Sequence, residues 1–281
     1  MSTTGGSDPT DLRNLPEPAD LHSALARTHP LNWGNRVPTK AQLLDEFGAE
    51  ATRLTLQALQ ERVASERAAT DDFVAALSDD SSSYKLESRV KSPQSLARKY
   101  SDRLATLDDE EPDDILRYTM LTDSPRQLVA ETQQTVDRLR DAGWQPIAAM
   151  HSYTEGSRYK GIHVGFQLPS GGVVEVQFHS AESARVKEAT TTPYEIERSA
   201  DASPAQRSAA RALCIKLSDS LEPPPGIAVL RTLGGQPVEV NTFGDSRREE
   251  PPQPARIKPH TQAPPHPAYR LAGRQVDGTS R

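Results

Sequence analysis

Apolar residues along this chain recur with a helical period in some segments and alternate in others. Between Lys40 and Leu77 they fall at roughly helical spacing, which predicts one long helix or two shorter ones. The Ser-Pro pairs at 92–93 and 124–125 each combine a good N-cap residue with a proline suited to the first helical position. We therefore expect two further helices, the first ending near Leu107 and the second before Gly143.

Alternating patterns predict the strands. We expect them at Ile115–Leu121, Trp144–Met150, Tyr159–Leu168 and Val173–Ser180. The last two flank a Pro-Ser-Gly-Gly turn, which is a hairpin signal, and two helical stretches follow at about 181–190 and 193–221. Strand, helix and further strands, with helices at both ends, predict an α+β fold in which helices flank a mixed β-sheet.

Composition divides the chain into three parts. Residues 1–38 are rich in Gly, Ser, Pro and Asp and indicate a flexible leader. Residues 39–222 carry the predicted elements and form the expected domain. Residues 223–281 are Pro-rich, and we expect a largely disordered tail, apart from a weak hairpin through Gly234 and Gly235. The mean hydropathy of −0.66 agrees with a partly unfolded chain.

Charge and cysteine content exclude several classes of protein. A net charge of −6 argues against a surface that coats nucleic acid, although it allows a local basic pocket. The single cysteine, Cys214, excludes an internal disulfide framework and a cysteine-based zinc site, and its apolar context indicates a buried side chain. No apolar run approaches the roughly 20 residues of a membrane helix. We expect a cytoplasmic protein, and a toxin exported without a signal would look the same.

Two clusters of charged residues suggest phosphate chemistry. Lys85, Arg89, Lys91 and Lys99 surround the predicted helix start at Pro93, where free N–H groups and a positive dipole end favour a polyphosphate. A solvated basic helix face would look similar. Asp113 and Asp114 stand where a loop enters a predicted strand, a place for a magnesium ligand or for ordinary turn residues.

The predicted hairpin brings a third polar cluster together. One face of the second strand carries Glu175, Gln177 and His179 by two-residue alternation, and the first strand matches it with Tyr159, Gly161, His163 and Gly165. An odd number of loop residues places both sets on one face. A zinc site built on the two histidines is the weaker alternative, because it leaves the tyrosine and the basic cluster unexplained.

These three clusters, in this order, resemble the synthetase domain of RelA/SpoT-type enzymes and small alarmone synthetases. The resemblance covers about residues 45–200. It rests on the segments Arg89–Lys99, Tyr159–His163 and Val174–Gln177, and on a following helix with Lys187 and Tyr194. It implies a nucleotidyltransferase-like synthetase fold and an ATP-dependent pyrophosphokinase, which makes (p)ppGpp-type alarmones of the stringent response by moving the β,γ-pyrophosphate of ATP to a 3′-hydroxyl.

The resemblance also implies roles for individual residues. The ATP site would comprise Arg89 at the base, Lys91 and Lys99 at the triphosphate, and Ser95 and Arg117 beside them. Mg2+ would be the cofactor, held by Asp114 and Glu175, and Glu175 would also act as the base toward the acceptor hydroxyl. The acceptor would meet Tyr159, stacked on its base, His163 at a phosphate, and Gln177 and His179.

Departures from the family pattern concern the acceptor side. The strand with Glu175 ends in Phe178-His179-Ser180 instead of the usual x-Arg-Thr, and Asp114 stands three residues before Arg117 instead of five. The acceptor therefore stays open between GDP or GTP, adenosine nucleotides and a tRNA 3′ end, the last being the substrate of a toxin. An inactive nucleotide-binding module is the other alternative. A homo-oligomer and an antitoxin or immunity protein are open as partners.

Overall fold

The structure, a computed structural model, describes residues 12–106, 112–199 and 201–243. Within these ranges six α-helices accompany one mixed sheet of seven strands. The helices are α1 (Pro18–Leu25), α2 (Lys40–Ala75), α3 (Pro93–Thr106), α4 (Pro125–Asp141), α5 (Ala181–Arg198) and α6 (Pro204–Asp219). The strands are β1 (Ser81–Ser83), β2 (Leu116–Thr122), β3 (Gln145–His151), β4 (Ile162–Gln167), β5 (Val173–Ser180), β6 (Thr232–Leu233) and β7 (Gln236–Val240). The predicted α+β class is confirmed.

The centre of the sheet separates an apolar face from a polar one. The strand order is β1-β2-β5-β4-β3-β7-β6, with β2 parallel to β5 and β4 antiparallel to β5. Tyr118 of β2 lies beside Val176 of β5, which lies beside Val164 of β4. One residue along, Thr119, Gln177 and His163 form the matching row on the opposite face. The predicted face is confirmed for His163, Gly165, Glu175 and Gln177, and the loop between Gln167 and Val173 holds an odd number of residues. The predicted strand start at Tyr159 is wrong, because β4 begins at Ile162, and Tyr159 and Gly161 precede it.

The apolar face packs against α2 and α4. Phe73 of α2 stacks on Tyr118 with ring centroids 4.7 Å apart, and Trp144 meets Phe166 edge to face at 5.6 Å. Leu128, Val136 and Leu139 of α4 complete the same buried cluster. Because α2 and α4 cover the apolar face of the sheet, the opposite face is available for α5 and for polar side chains.

Several helix predictions hold, and one boundary is wrong. The segment from Lys40 onward is one helix with a kink at Gly48, whose φ of 81° is a left-handed value that glycine tolerates. Ser124 caps α4 as expected. The predicted break at Pro193 is wrong, because α5 continues through that proline to Arg198. The break instead precedes Ser203, which caps α6.

Both predicted flanking segments contribute to the fold where they are described. The leader prediction fails for residues 18–38, since Leu21, Leu25 and Trp33 are buried in the main core. The predicted hairpin through Gly234 and Gly235 is confirmed, because β6 pairs antiparallel with β7. It is not an isolated hairpin in a disordered tail, since β7 also pairs in parallel with β3 and extends the sheet. The rest of both segments, 1–11 and 244–281, lies outside the described residues. No helix in the described ranges is long and apolar enough to cross a bilayer.

Candidate active site

Two cavities open beside the polar face of the sheet. The first, of about 220 Å³, lies at the start of α3 and includes Lys91, Ser95 and Asp114. The second, of about 210 Å³, lies between the hairpin and α5 and includes Tyr159 and Gln177. We call them the donor cavity and the acceptor cavity, after the ligands that the sequence analysis predicts for their residues. Most of the predicted site residues thus gather in two adjoining hollows.

The donor cavity forms where the chain runs from a short bridge beside β2 into α3. Val90 pairs with Leu116, and Trp33 donates its indole N–H to the carbonyl of Val90 at 3.0 Å, which fixes this segment. Ser92 caps the helix by accepting from the backbone N–H of Ser95 at 3.3 Å. The helix N-terminus and its two serine hydroxyls therefore face the cavity as anion-binding groups.

Asp114 is held by Lys91, which lines the donor cavity, and by Lys99, which lies behind it. Lys91 donates to one carboxylate oxygen and Lys99 to the other, each at 2.7 Å. Burial alone would raise the pKa of Asp114, but Lys91 and Lys99 outweigh it and hold that pKa well below its usual range. Burial also lowers the pKa of Lys91 despite the attraction of Asp114. The lysines predicted for the triphosphate thus lie together on Asp114, and Lys99 also lies 3.6 Å from a carboxylate oxygen of Asp113.

Arg89 is one of the residues that line the donor cavity, but its guanidinium is engaged in structural contacts. It forms an ion pair with Glu66 and donates to the carbonyls of Leu25, His29, Pro30 and Leu86. Its side chain is 0% exposed. Every N–H donor is engaged, so an ATP base has no access to this group without rearrangement. Contact between Arg89 and ATP stays a prediction that the present geometry does not favour.

Arg117 is the one predicted ATP-site residue that lines both cavities. It stands on β2 in register with Glu175 of β5. Its guanidinium has no hydrogen bond or ion pair within the described part of the chain. An unengaged guanidinium at the junction of two cavities can contact phosphate groups of ligands in either one.

Glu175 belongs to a closed hydrogen-bond group on the polar face. Nδ1 of His163 lies 2.6 Å from one carboxylate oxygen, and the Gln177 amide donates to the other at 3.0 Å. The Glu175 side chain is 1% exposed and lines neither cavity. Nε2 of His163 is buried without a partner in the described ranges. His163 and Glu175 thus lie together, as the sequence predicts, but Glu175 does not face either cavity.

Tyr159 and His179 form a second group beside it. The Tyr159 hydroxyl lies 2.8 Å from Nε2 of His179, whose Nδ1 lies 3.0 Å from the Ser183 hydroxyl. Burial raises the pKa of Tyr159 well above its ordinary value and lowers the pKa of His179 well below its own. Both groups are therefore neutral near pH 7. Gly161 lies beneath them, where a Cβ would approach the Tyr159 hydroxyl to 2.7 Å.

Several acceptor-cavity residues were not assigned from sequence. Lys187, Thr190, Thr191 and Tyr194 line the cavity from α5. Their spacing of three, four and seven residues defines one helix face, which is the signal that could have identified them. Arg158 and Phe243 line it from other segments. Phe243 lies edge-on to Tyr159 at 5.7 Å, and its carbonyl accepts from the Arg158 backbone N–H. Only the three-dimensional fold brings these last two into the site.

The predicted magnesium ligands do not fit a shared ion in this arrangement. The Asp114 oxygens each hold a lysine, and the Glu175 oxygens hold His163 and Gln177. No group of three or more His, Cys, Asp or Glu side chains among the described residues could hold a metal. Of the two predicted ligands, only Asp114 lines a cavity.

Comparisons with known proteins give distant structural likenesses. No protein-family model and no curated protein matches this sequence. The chain is similar to a structure of the Type VI effector Tas1 in complex with its immunity protein. The match has 14% identity and a TM-score of 0.33, and covers 60% of this chain and 96% of that one. It is also similar to a GTP pyrophosphokinase family protein from Streptococcus pneumoniae. There the identity is 16% and the TM-score 0.32, with 68% and 92% covered. Both TM-scores are below 0.5, so neither likeness supports a functional assignment.

Proposed function

We propose that this chain is an ATP-dependent pyrophosphokinase that transfers the β,γ-pyrophosphate of ATP to the 3′-hydroxyl of a nucleotide or an RNA end. The observation that carries the proposal is the position of Arg117, which lines two adjoining cavities of different character. Group transfer between two ligands needs two neighbouring sites and a cation where they meet.

The donor cavity has the groups that a triphosphate requires. Lys91 supplies an ammonium group to the cavity, and Ser92 and Ser95 supply hydroxyls at a helix N-terminus. Lys99 reaches the cavity only through Asp114, to which it donates. Asp114 holds both ammonium groups in place before the nucleotide binds. A triphosphate carries several negative charges against the one of Asp114, so we expect it to draw the lysines toward itself.

The acceptor cavity suits a phosphorylated compound with a flat ring. Tyr159, Tyr194 and Phe243 supply aromatic surface, Arg117 and Arg158 supply positive charge, and Lys187 supplies an amino group. Aromatic faces stack on any nucleobase, whereas cations bind its phosphates. In this proposal Tyr159 carries the acceptor base. Gln177 accepts a hydrogen bond from Lys187 and so fixes its position. His179 does the same for Tyr159 through the tyrosine hydroxyl. His163 does not contact the acceptor directly but orients Glu175.

Transfer in this site depends on position and charge. The acceptor hydroxyl attacks the β-phosphorus of the donor in line, and AMP leaves. Arg117 contacts the transferring group from the junction of the cavities and spreads the charge that develops on it. Magnesium remains part of the proposal as an ion that binds together with the ATP phosphates. The carboxylates of Asp114 and Glu175 are engaged by other side chains, so the ATP phosphates would hold the ion.

An assay of AMP release tests this proposal. Purified protein is incubated with ATP, magnesium and, separately, GDP, GTP, ADP, ATP or deacylated tRNA, and the products are mapped by mass spectrometry. We expect AMP together with an acceptor that has gained a pyrophosphate. The acceptor that reacts identifies the substrate class and separates alarmone synthesis from a toxin that acts on tRNA. The absence of AMP with every acceptor would refute the enzyme assignment.

One observation favours a second function, that of a nucleotide-binding module without turnover. Glu175, which the family resemblance makes the base and a metal ligand, is sealed beneath His163 and Gln177. A module of this kind would bind ATP in equilibrium dialysis yet release no AMP. An immunity or antitoxin partner is compatible with either function, and so is a homo-oligomer. Size-exclusion chromatography with light scattering tests whether the protein forms a homo-oligomer.

A further inference from the structure

Lys187, like Arg117, is a basic group of the acceptor cavity that forms no ion pair with a described residue. Its ammonium nitrogen donates to the side-chain oxygen of Gln177 at 2.6 Å and lies 5.9 Å from the centre of the Tyr159 ring. No carboxylate in the described residues forms an ion pair with it. The other two cations of the cavity, Arg117 and Arg158, are guanidinium groups that stay charged at any working pH.

The surroundings of Lys187 favour its neutral form. Burial is the largest cause, and the positive charge of Arg117 on β2 is the next; together they lower the pKa of Lys187 to about 7. The remaining charged groups that face it are Glu175 on β5, Lys85 before α3 and Glu188 on α5, and their effects are smaller. A substantial fraction of molecules therefore presents an amine with a free electron pair near pH 7.

Glu175 cannot accept a proton from a ligand in either cavity in the observed arrangement. Its two oxygens are occupied by His163 and Gln177, and its side chain is shielded from both cavities. Gln177 links the two groups, because its amide donates to Glu175 while its oxygen accepts from Lys187. Glu175 thereby orients Gln177, and Gln177 orients the amine of Lys187 within the acceptor cavity.

We propose that Lys187, and not Glu175, accepts the proton of the acceptor hydroxyl during transfer. The inference rests on the proposed pyrophosphokinase function. In the step, the hydroxyl oxygen forms a bond to the β-phosphorus of ATP, and the bond from that phosphorus to the oxygen bridging the α-phosphorus breaks. The electron pair of the broken bond leaves with AMP. The hydroxyl proton passes to the Lys187 nitrogen, which becomes an ammonium group and later returns the proton to solvent.

Substitution and chemical rescue test this role. Lys187→Ala should slow AMP release at saturating acceptor by about 100-fold or more, the usual range for loss of a general base. Lys187→Arg should be similarly slow, because a guanidinium holds phosphate but does not accept a proton at working pH. Added alkylamines should restore activity to Lys187→Ala, with rate constants that increase with amine basicity. Lys216→Ala, at an exposed position on α6, is the matched control and should keep the wild-type rate.

The outcomes separate this inference from the proposed function. A wild-type rate of AMP release that increases with pH around 7, and a Lys187→Ala variant that lacks this increase, would support Lys187 as the proton acceptor. An active wild type with Lys187→Arg at full rate would overturn the inference alone, because charge would then suffice. Competitive acetylation across pH, read by mass spectrometry, gives an independent measure. A titration midpoint for Lys187 near 10 would also overturn the inference. Wild-type protein that releases no AMP would overturn the proposed function and, with it, this role.

Discussion

The buried group formed by Asp114 and two lysines should make a large contribution to the stability of the fold around the donor cavity. Asp114→Asn keeps the shape of the side chain but removes its charge, which leaves Lys91 and Lys99 side by side. Removal of one partner from a buried ion pair costs roughly 3–5 kcal/mol. Asp114 is 1% exposed, whereas Lys91 and Lys99 are 20% and 14% exposed and can turn toward water. We therefore expect a loss of about 3 kcal/mol, the low end of that range.

Urea denaturation at pH 7 measures this loss as a free energy of unfolding. Asp113→Asn is the matched control, because Asp113 lies 3.6 Å from Lys99 and should contribute about 1 kcal/mol or less. Lys99→Met should cost less in the Asp114→Asn background than in wild type, since the two side chains contact each other. A loss below about 1 kcal/mol for Asp114→Asn, or a loss equal to that of Asp113→Asn, would refute this reasoning.

The ion pairs of Asp114 with Lys91 and Lys99 also predict how the free energy of unfolding depends on pH. The folded pKa of Asp114 lies below its unfolded value of about 3.9. The stabilisation from its charge is therefore complete above that pH and is lost as the pH falls toward the folded pKa. Asp114→Asn should show a shallower decline in stability below pH 4 than the wild-type protein.

Two further changes separate structural from ligand-binding roles. Arg89→Met should lower the free energy of unfolding by roughly 3–5 kcal/mol, because Glu66 is then left buried and unpaired. Weaker ATP binding in isothermal titration calorimetry with unchanged stability would contradict this. Gly161→Ala places a Cβ 2.7 Å from the Tyr159 hydroxyl and 2.9 Å from the His179 ring. It should weaken acceptor binding by roughly tenfold, about 1.4 kcal/mol, and leave ATP affinity unchanged; equal losses for both ligands would contradict a local effect.

Local patterns in the sequence predict the part of the site that regular structure creates. Two-residue alternation places His163, Glu175 and Gln177 on one face because every second side chain in a strand points the same way. The Ser92-Pro93 pair predicts the start of α3 because an N-cap and a proline need only their own segment. These features depend on residues close together in the chain, and the structure reproduces them.

Residues whose role depends on distant segments could not be predicted in the same way. Arg89 looks like a cation beside a helix start, yet four of its acceptor residues lie 23 to 64 positions earlier in the chain. Residues 18–38 look like part of a leader from composition, although Leu21, Leu25, Leu31 and Trp33 are buried in the main core. Pro193 looks like a helix stop, but α5 tolerates it. In each case tertiary contacts outweigh the local signal.

The central claim is that two cavities joined at Arg117 perform one transfer, and a labelled product tests it most directly. The protein is incubated with ATP labelled at the β-phosphorus and with the acceptor that supports AMP release. The account predicts label in the acceptor and unlabelled AMP in equal amounts, abolished by Arg117→Met and retained in Arg126→Met, whose arginine is exposed at the start of α4. Label that remains in ADP, or full transfer by Arg117→Met, would contradict the account.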